Sequence, residues 1–315
     1  MILGIEIGGT KLQLGIAPSD SDSGTLVTLE RATIDRASGA EGILQQIKEI
    51  APSLISIHRV RQIGIGFGGP VDGVHNRVIT SHQVDGWDDF LLGDWCLREL
   101  GLPVAMGNDC NVAALAEAVH GAGKGADRVF YVTIGTGIGG GLVVDGRIDG
   151  ESCPAIAEIG HLRPGLDAKD PQQTVESFAS GLGIESRARD LLASGREVSG
   201  VEELRALEPL SAENLIQAAL AGNVAALEIF DQATLTLGWA IAQVLAIAAP
   251  QRVVIGGGVS LVGEPLFQRL RETVGTFVFP PLANDFELVP ASLGEETVVV
   301  GAVELARTQG VSSVA

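Results

Sequence analysis

Ile2-Leu3-Gly4-Ile5-Glu6-Ile7-Gly8-Gly9-Thr10-Lys11-Leu12-Gln13-Leu14-Gly15-Ile16-Ala17 opens the chain. Ile2–Ile7 is apolar and β-prone apart from Glu6, and Leu12–Ala17 reads as a second strand. Gly8–Lys11 therefore joins strand to strand, not strand to helix. The same device returns later: Val129–Ile134 is a strand, Gly135-Thr136-Gly137-Ile138-Gly139 a glycine turn, and Gly140–Val144 a strand. Asp145-Gly146 just beyond predicts a tight hairpin. A chain of 315 residues has room for two domains, each with its own core.

Outward from these two units the pattern alternates. Thr25–Ile34 reads as a strand. Ile43, Leu44, Ile47, Ile50 and Leu54 recur at helical spacing, predicting a helix over Glu41–Ile57 that Pro52 kinks or interrupts. Gln62–Phe67 is a buried strand ending at Gly68-Gly69-Pro70. Phe90–Leu100 reads as helix and Pro103–Met106 as strand. Asn108-Asp109 opens a helix running to His120. The second half turns helical over Thr174–Leu192, Glu213–Leu220 and Asn223–Ala249. Arg252–Ile255 is a short strand entering Gly256-Gly257-Gly258, and Glu296–Gln309 closes as a helix. Gly121–Gly125 is the candidate hinge.

Composition narrows the function classes. The 21 basic and 39 acidic side chains give a formal charge of −18, which opposes binding to nucleic acid or anionic lipid. Cys96, Cys110 and Cys153 are few and scattered, fitting a reducing compartment. The N-terminus lacks a basic region, and no apolar run reaches the ~18 residues of a membrane span. A cytoplasmic protein with a small-molecule ligand is expected.

Glycines at strand ends let bare N–H groups approach phosphate oxygens. Two such hairpins can grip a triphosphate, and Gly256–Gly258 can lie against a flat nucleoside. Thr10, Thr136 and Lys11 add donors, and Glu6 stands where a carboxylate can hold Mg²⁺. Any one turn alone reads as structural; three in one chain favour phosphate binding. Gly135-x-Gly137-x-x-Gly140 and Gly64-x-Gly66-x-x-Gly69 match the dinucleotide fingerprint, but neither is expected to enter a helix, so both are set aside. Asn108-Asp109 reads as a helix cap, as a carboxylate able to accept a hydroxyl proton, or as both. Glu158-x-x-His161 and Glu176 supply further polar groups suited to a polyol.

Taken in order, Ile5–Lys11, Gly69-Pro70-Val71-Asp72, Gly107-Asn108-Asp109-x-Asn111, Ile134–Gly141, Glu158-Ile159-Gly160-His161, Glu176-x-x-x-Ser180-Gly181 and Val254–Gly258 resemble the ROK family of repressors and sugar kinases. The resemblance runs nearly end to end. It implies a two-domain, actin-like (ribonuclease H-like) α/β fold with ATP and sugar in the interdomain cleft. Residues 1–118 with 297–315 would form the small domain and 119–296 the large one. It implies an ATP:hexose phosphotransferase, with glucose leading and fructose, mannose or amino sugars as alternatives. Asp109 would be the base. Gly69, Asn108, Asp109, Glu158, His161 and Glu176 would contact sugar. Gly8, Gly9, Thr10, Lys11, Gly135, Thr136 and Gly137 would bind phosphates, Gly256, Gly257 and Gly258 would border adenosine, and Glu6 would serve Mg²⁺, directly or through water. Many relatives are dimers, which leaves a homodimer open.

Three departures from the family pattern stand out. Arg163–Val175 lacks the cysteines that bind zinc in relatives, so no zinc site is expected. Glu6 stands where Asp is usual, as in fructokinase-like relatives. Ala157 replaces the usual glycine before Glu158, and Gln83 stands near a missing sugar-contacting Asn. Two rival classes compete with the kinase: a sugar-responsive regulator, for which no N-terminal helix-turn-helix is expected with the first strand at Ile2, and an actin-like ATPase without a sugar. Polyphosphate as donor finds no basic cluster.

Overall fold

The computed structural model describes residues 1–20, 23–150, 153 and 155–309; the last part of the expected 297–315 segment, residues 310–315, lies outside them. In chain order the strands are β1 (Ile2–Ile7), β2 (Lys11–Ala17), β3 (Thr28–Thr33), β4 (Gln62–Phe67), β5 (Val71–Asp72), β6 (Arg77–Val78), β7 (Val104–Asn108), β8 (Arg128–Ile134), β9 (Ile138–Val144), β10 (Arg147–Ile148), β11 (Arg252–Gly256) and β12 (Glu287–Pro290). The helices are α1 (Gly39–His58), α2 (Leu92–Leu100), α3 (Asp109–Val119), α4 (Val175–Ala179), α5 (Gly181–Ala193), α6 (Val201–Arg205), α7 (Ala212–Leu220), α8 (Val224–Ala248), α9 (Glu264–Phe277) and α10 (Thr297–Gln309).

By contacts the chain divides into two units: Met1–Tyr131 with Gly141–Ile156 and Ser292–Ala315, and Val132–Gly140 with Ala157–Ala291. The division runs through β8 and β9. The two five-stranded sheets repeat one plan, β3-β2-β1-β4-β7 and β10-β9-β8-β11-β12, each in the order third, second, first, fourth, fifth of its own strands. Around β1 the pairing is antiparallel to β2 and parallel to β4, with Glu6 opposite Gln13 and Gly66.

In the first unit, alternation along β1 and β4 sorts side chains to two faces. Leu3, Ile5, Ile7, Ile63, Ile65 and Phe67 join a buried cluster with Ile43 and Ile47 of α1 and with Trp87 and Trp95. The opposite face is floored by glycine. A Cβ on Gly64 would overlap the Ala302 carbonyl, and one on Gly4 would lie 2.6 Å from the Val299 carbonyl. This lets α10 rest directly on the sheet. Gly301 repeats the device between helices, because a Cβ there would overlap the Val112 carbonyl of α3.

Several expectations are revised. α1 is continuous through Pro52: Pro52 and Lys48 are both on the exposed side, so the carbonyl that Pro52 cannot serve faces water. The expected helix over Thr174–Leu192 is broken at Ser180, which ends α4 and caps α5 by accepting from Gly183 N–H. β3 begins at Thr28 and α2 at Leu92, later than the spacing implies. α9 was not anticipated, although buried Leu266, Leu270 and Val274 recur every fourth residue behind Pro265. The β9–β10 hairpin forms as expected, with Asp145 and Gly146 both at positive φ (51° and 72°).

Gly121–Gly125 is not a free hinge. It lies inside the first unit and is tied to α3, with Gly121 and Gly123 N–H both donating to the Glu117 carbonyl at 3.1 and 2.8 Å. Among the described residues no helix is long and apolar enough to cross a membrane.

Candidate active site

The first glycine turn closes when Gly8 N–H donates to the Lys11 carbonyl (3.1 Å), and Gly68 N–H donates to the Ile7 carbonyl (2.8 Å), bringing the end of β4 beside it. Arg36 Nε donates to the Gly9 carbonyl at 2.7 Å, and a Cβ on Gly9 would overlap the Gln83 carboxamide. Thr10 is exposed. Lys11 turns back: its Nζ lies 3.1 Å from Glu6 Oε1 and 3.4 Å from the Glu295 carbonyl. Glu6 is 5% exposed, and its Oε2 is buried without a hydrogen-bond partner. Burial pushes its pKa from 4.5 up to about 7 against the pull of Lys11, with the charges of Asp109 and Glu295 adding to the rise. A buried carboxylate oxygen with no partner, beside a phosphate-type turn, fits a cation that keeps most of its other ligands from water and phosphate. No cluster of three or more protein metal ligands occurs among the described residues.

β7 delivers the next two residues. Asn108 is the N-cap of α3: its Oδ1 accepts from Cys110 and Asn111 N–H at 2.9 and 3.3 Å, and its Nδ2 donates to the Gly69 carbonyl at 3.1 Å. Asp109 begins the helix, with Oδ1 accepting from Cys110 N–H at 2.8 Å. Its Oδ2 faces the glycines: a Cβ on Gly68 would stand 3.4 Å from it and 3.5 Å from Gly8 Cα. Desolvation raises the Asp109 pKa above its ordinary value, opposed by hydrogen bonds from Cys110 and Asn108. Glu6, Gly8–Lys11, Gly69, Asn108 and Asp109 thus gather in one unit. Both readings of the Asn108-Asp109 pair hold in part: Asn108 caps, and Asp109 keeps one oxygen toward the turn.

In the second unit, Gly135 N–H donates to the Gly137 carbonyl (2.9 Å), and Ile138 N–H donates to Glu176 Oε2 at 2.7 Å. The Glu176 carboxylate therefore braces the second turn. Gly181 N–H donates to the Gly135 carbonyl (2.8 Å), fastening α5 to the same turn. β9 follows the turn as a strand, as expected when the dinucleotide fingerprint was set aside. Gly257 has φ 84°, and a Cβ on it would lie 2.5 Å from the Ile134 carbonyl, so β11 runs its turn flat against β8. Beside Gly135, Thr136 and Gly258 opens a cavity of about 540 Å³ walled by Leu182, Ile216 and Leu261. Its glycine edges and apolar walls suit a flat, partly apolar ring system.

Glu158 precedes a single 3-10 turn, Ile159–His161, in which a Cβ on Gly160 would overlap the Ile138 carbonyl. Ala157 has φ 61°, so alanine occupies a left-handed position that glycine fills without strain. His161 is exposed, and among the described residues its ring makes no hydrogen bond. The following loop is organised by Arg163, whose Nη1 donates to the carbonyls of Ala168 (3.2 Å), Lys169 (3.5 Å) and Asp170 (3.2 Å). Neither Arg36 nor Arg163 was found by sequence reasoning, because an arginine that bonds distant carbonyls carries no local pattern.

These features define a class before they define a family: a duplicated α/β fold with a glycine turn in each unit. A glucokinase of Halalkalibacterium halodurans is 30% identical, over 98% of this chain and 95% of the relative. The crystal structure of a ROK hexokinase from Thermus thermophilus superposes with TM-score 0.80 at 28% identity, covering 98% of both chains. That of a ROK family glucokinase from Streptomyces griseus, in complex with glucose and AMPPNP, gives TM-score 0.78 at 29% identity, covering 98% of this chain and 99% of that one. The fold is the two-domain, actin-like α/β fold. A model of the ROK family matches residues 2–309, and the chain belongs to that family.

Proposed function

We propose that this chain is a sugar kinase that transfers the γ-phosphoryl group of ATP to a hexose hydroxyl, with glucose as the first substrate to test. The observation that carries the reading is Asp109: a carboxylate of raised pKa at the start of α3, one oxygen anchored to Cys110 N–H and the other facing Gly68 and Gly8. In this reading the hexose hydroxyl oxygen attacks the γ-phosphorus, Asp109 takes the hydroxyl proton, and ADP leaves. The raised pKa makes Asp109 a stronger proton acceptor once ionised. Gly8–Lys11 and Gly135–Gly137 hold phosphate oxygens with backbone N–H groups, helped by the exposed Thr10 and Thr136 hydroxyls. Gly256–Gly258 and the adjoining cavity take the adenosine. Glu6 would hold Mg²⁺, which when bound neutralises phosphate charge. Gly69, Asn108, Glu158, His161 and Glu176 hold sugar hydroxyls.

The comparisons support this reading, because the relative from H. halodurans is named for glucose phosphorylation and the S. griseus structure holds glucose with an ATP analogue. The test is ADP release from Mg-ATP across glucose, fructose, mannose and N-acetylmannosamine, with Asp109→Asn alongside. Sugar-dependent turnover that the substitution abolishes supports it. ATP turnover indifferent to every sugar and to Asp109 overturns it.

A further inference from the structure

The helix that begins with Asp109 carries, in its last turn, a carboxylate that the proposed reaction does not use. Glu117 is fully buried at 0% exposure. Its Oε1 accepts from Ser292 N–H (2.9 Å) and Leu293 N–H (2.9 Å), and its Oε2 from Ala122 N–H (2.8 Å) and the Ser292 hydroxyl (3.3 Å). Two segments distant in sequence are thereby knotted to one side chain. Gly121 is explained by it, since a Cβ there would overlap Glu117 Oε2, whereas one on Gly123 would meet backbone, 2.9 Å from both the Glu117 carbonyl and Ala118 Cα.

The second segment leads to the first glycine turn. After Ser292 and Leu293 the chain passes Gly294, at φ 63°, and reaches Glu295, whose carbonyl accepts from Lys11 Nζ. Lys11 in turn pairs with Glu6. Thr297 then donates to the Gly294 carbonyl at 2.6 Å and starts α10. All of these residues belong to the first unit.

We propose that Glu117 is a positioning residue: by gripping Ala122, Ser292 and Leu293 it holds the 292–295 segment where the Glu295 carbonyl fixes Lys11 against Glu6 beside the first glycine turn. A carboxylate is needed because each oxygen receives two donors. Glutamine has the same shape, but whichever way its amide is turned an NH₂ meets two donors, and buried unsatisfied groups of that kind are strongly unfavourable.

The test is the folded Glu117→Gln variant, read in two ways that do not need turnover. Amide exchange at Ala122, Ser292 and Leu293 is expected to accelerate by about tenfold or more. Acylation of Lys11 by acetic anhydride, followed by peptide mass spectrometry, is expected to rise several-fold toward the rate in Glu6→Gln, with Lys48 and Lys169 unchanged. A purely structural Glu117 would speed the amides and lower the melting temperature while leaving Lys11 at its wild-type rate, and that result overturns the proposal. If Glu117→Gln does not fold, Ser292→Ala removes one of the four donors, and the same Lys11 criterion decides. The catalytic consequence rests on the sugar-kinase reading: kcat falls by about tenfold with KM for sugar unchanged. A wild-type protein that phosphorylates no sugar refutes that reading and not this one, which the Lys11 labelling decides alone.

Discussion

Replacing Glu6 by glutamine isolates one buried charge whose consequence can be worked from the structure. Lifting a carboxyl from 4.5 to about 7 means the carboxylate is disfavoured in the folded chain by about 3 kcal/mol relative to the unfolded one, at 1.36 kcal/mol per tenfold change in acidity. The folded-state pKa is the raised one. Its contribution to stability is therefore fully present below pH 4.5 and is lost as the pH rises through about 7. The carboxamide of the Glu6→Gln variant has no proton to lose. Urea unfolding of both proteins at half-unit steps from about pH 4.5 to 8 should show the variant gaining on the wild type by about 3 kcal/mol, with most of the gain complete above neutrality. Lys11 loses a partner in the variant, but at 43% side-chain exposure its ammonium regains water and offsets little. Asp109 is a neighbour whose charge contributes to the rise, so the pair is repeated in an Asp109→Asn background, where the gain should shrink but persist. A stability difference constant within about 0.5 kcal/mol across that range would show that no desolvated charge sits at Glu6, and would remove the basis for a cation there.

Asp109→Asn should lower kcat by at least about a hundredfold, the range of a lost general base, without lowering the melting temperature at neutral pH, since the amide escapes the desolvation that raises the Asp109 pKa. In the wild type, the acid limb of the kcat–pH profile should lie above the ordinary aspartate range, because the base must be ionised and its pKa is raised; a limb at or below that range refutes the assignment. Ala157→Gly should stabilise by up to about 1 kcal/mol in urea unfolding, relieving the φ of 61°. Gly301→Ala should destabilise by at least about 2 kcal/mol, since its methyl meets the Val112 carbonyl and α3 and α10 must separate. Asn108→Ala should cost about 1 kcal/mol from the lost cap alone.

The strands at the centre of each sheet were legible because both of their faces are buried: Ile2–Ile7, Gln62–Phe67 and Arg252–Ile255 read as mostly apolar runs ending at glycines, and they occur as β1, β4 and β11. The duplication was legible too, in two strand–glycine–strand stretches that became the β1–β2 and β8–β9 units. What escaped was decided by distant partners. β12 is four residues long with half its side chains exposed, and it is a strand because β11 pairs with it. The break at Ser180 needed knowledge that Gly181 must reach the Gly135 carbonyl. Gly121–Gly125 resembled a hinge because its glycines looked unencumbered; the Glu117 carboxylate fills the space at Gly121, backbone and Val129 crowd Gly123, and Gly125 sits at φ 90°.

A glycine turn offers N–H groups to an anion only if something else fixes its shape, because glycine loses the most conformational freedom on ordering. In this chain each turn has a side-chain brace of its own. Arg36 holds the Gly9 carbonyl, Asn108 the Gly69 carbonyl, Glu176 the N–H next to Gly137, and the Ser260 hydroxyl donates to the Gly257 carbonyl at 2.7 Å. Two of the braces, Asn108 and Glu176, are residues that family resemblance assigns to the sugar. The amide of Asn108 already serves the Gly69 carbonyl and Asp109; for Glu176 the two roles are compatible only through the atom left over, Oε1. That restriction gives the roles distinct signatures. Glu176→Gln keeps one carbonyl oxygen and so can still brace Ile138 N–H, with its amide turned outward toward the substrate. A Glu176 that holds a sugar hydroxyl should then raise KM for the sugar at unchanged KM for ATP. A Glu176 that acts as brace alone should leave both constants near wild type in the Gln variant and raise KM for ATP in Glu176→Ala, where the turn loses its acceptor.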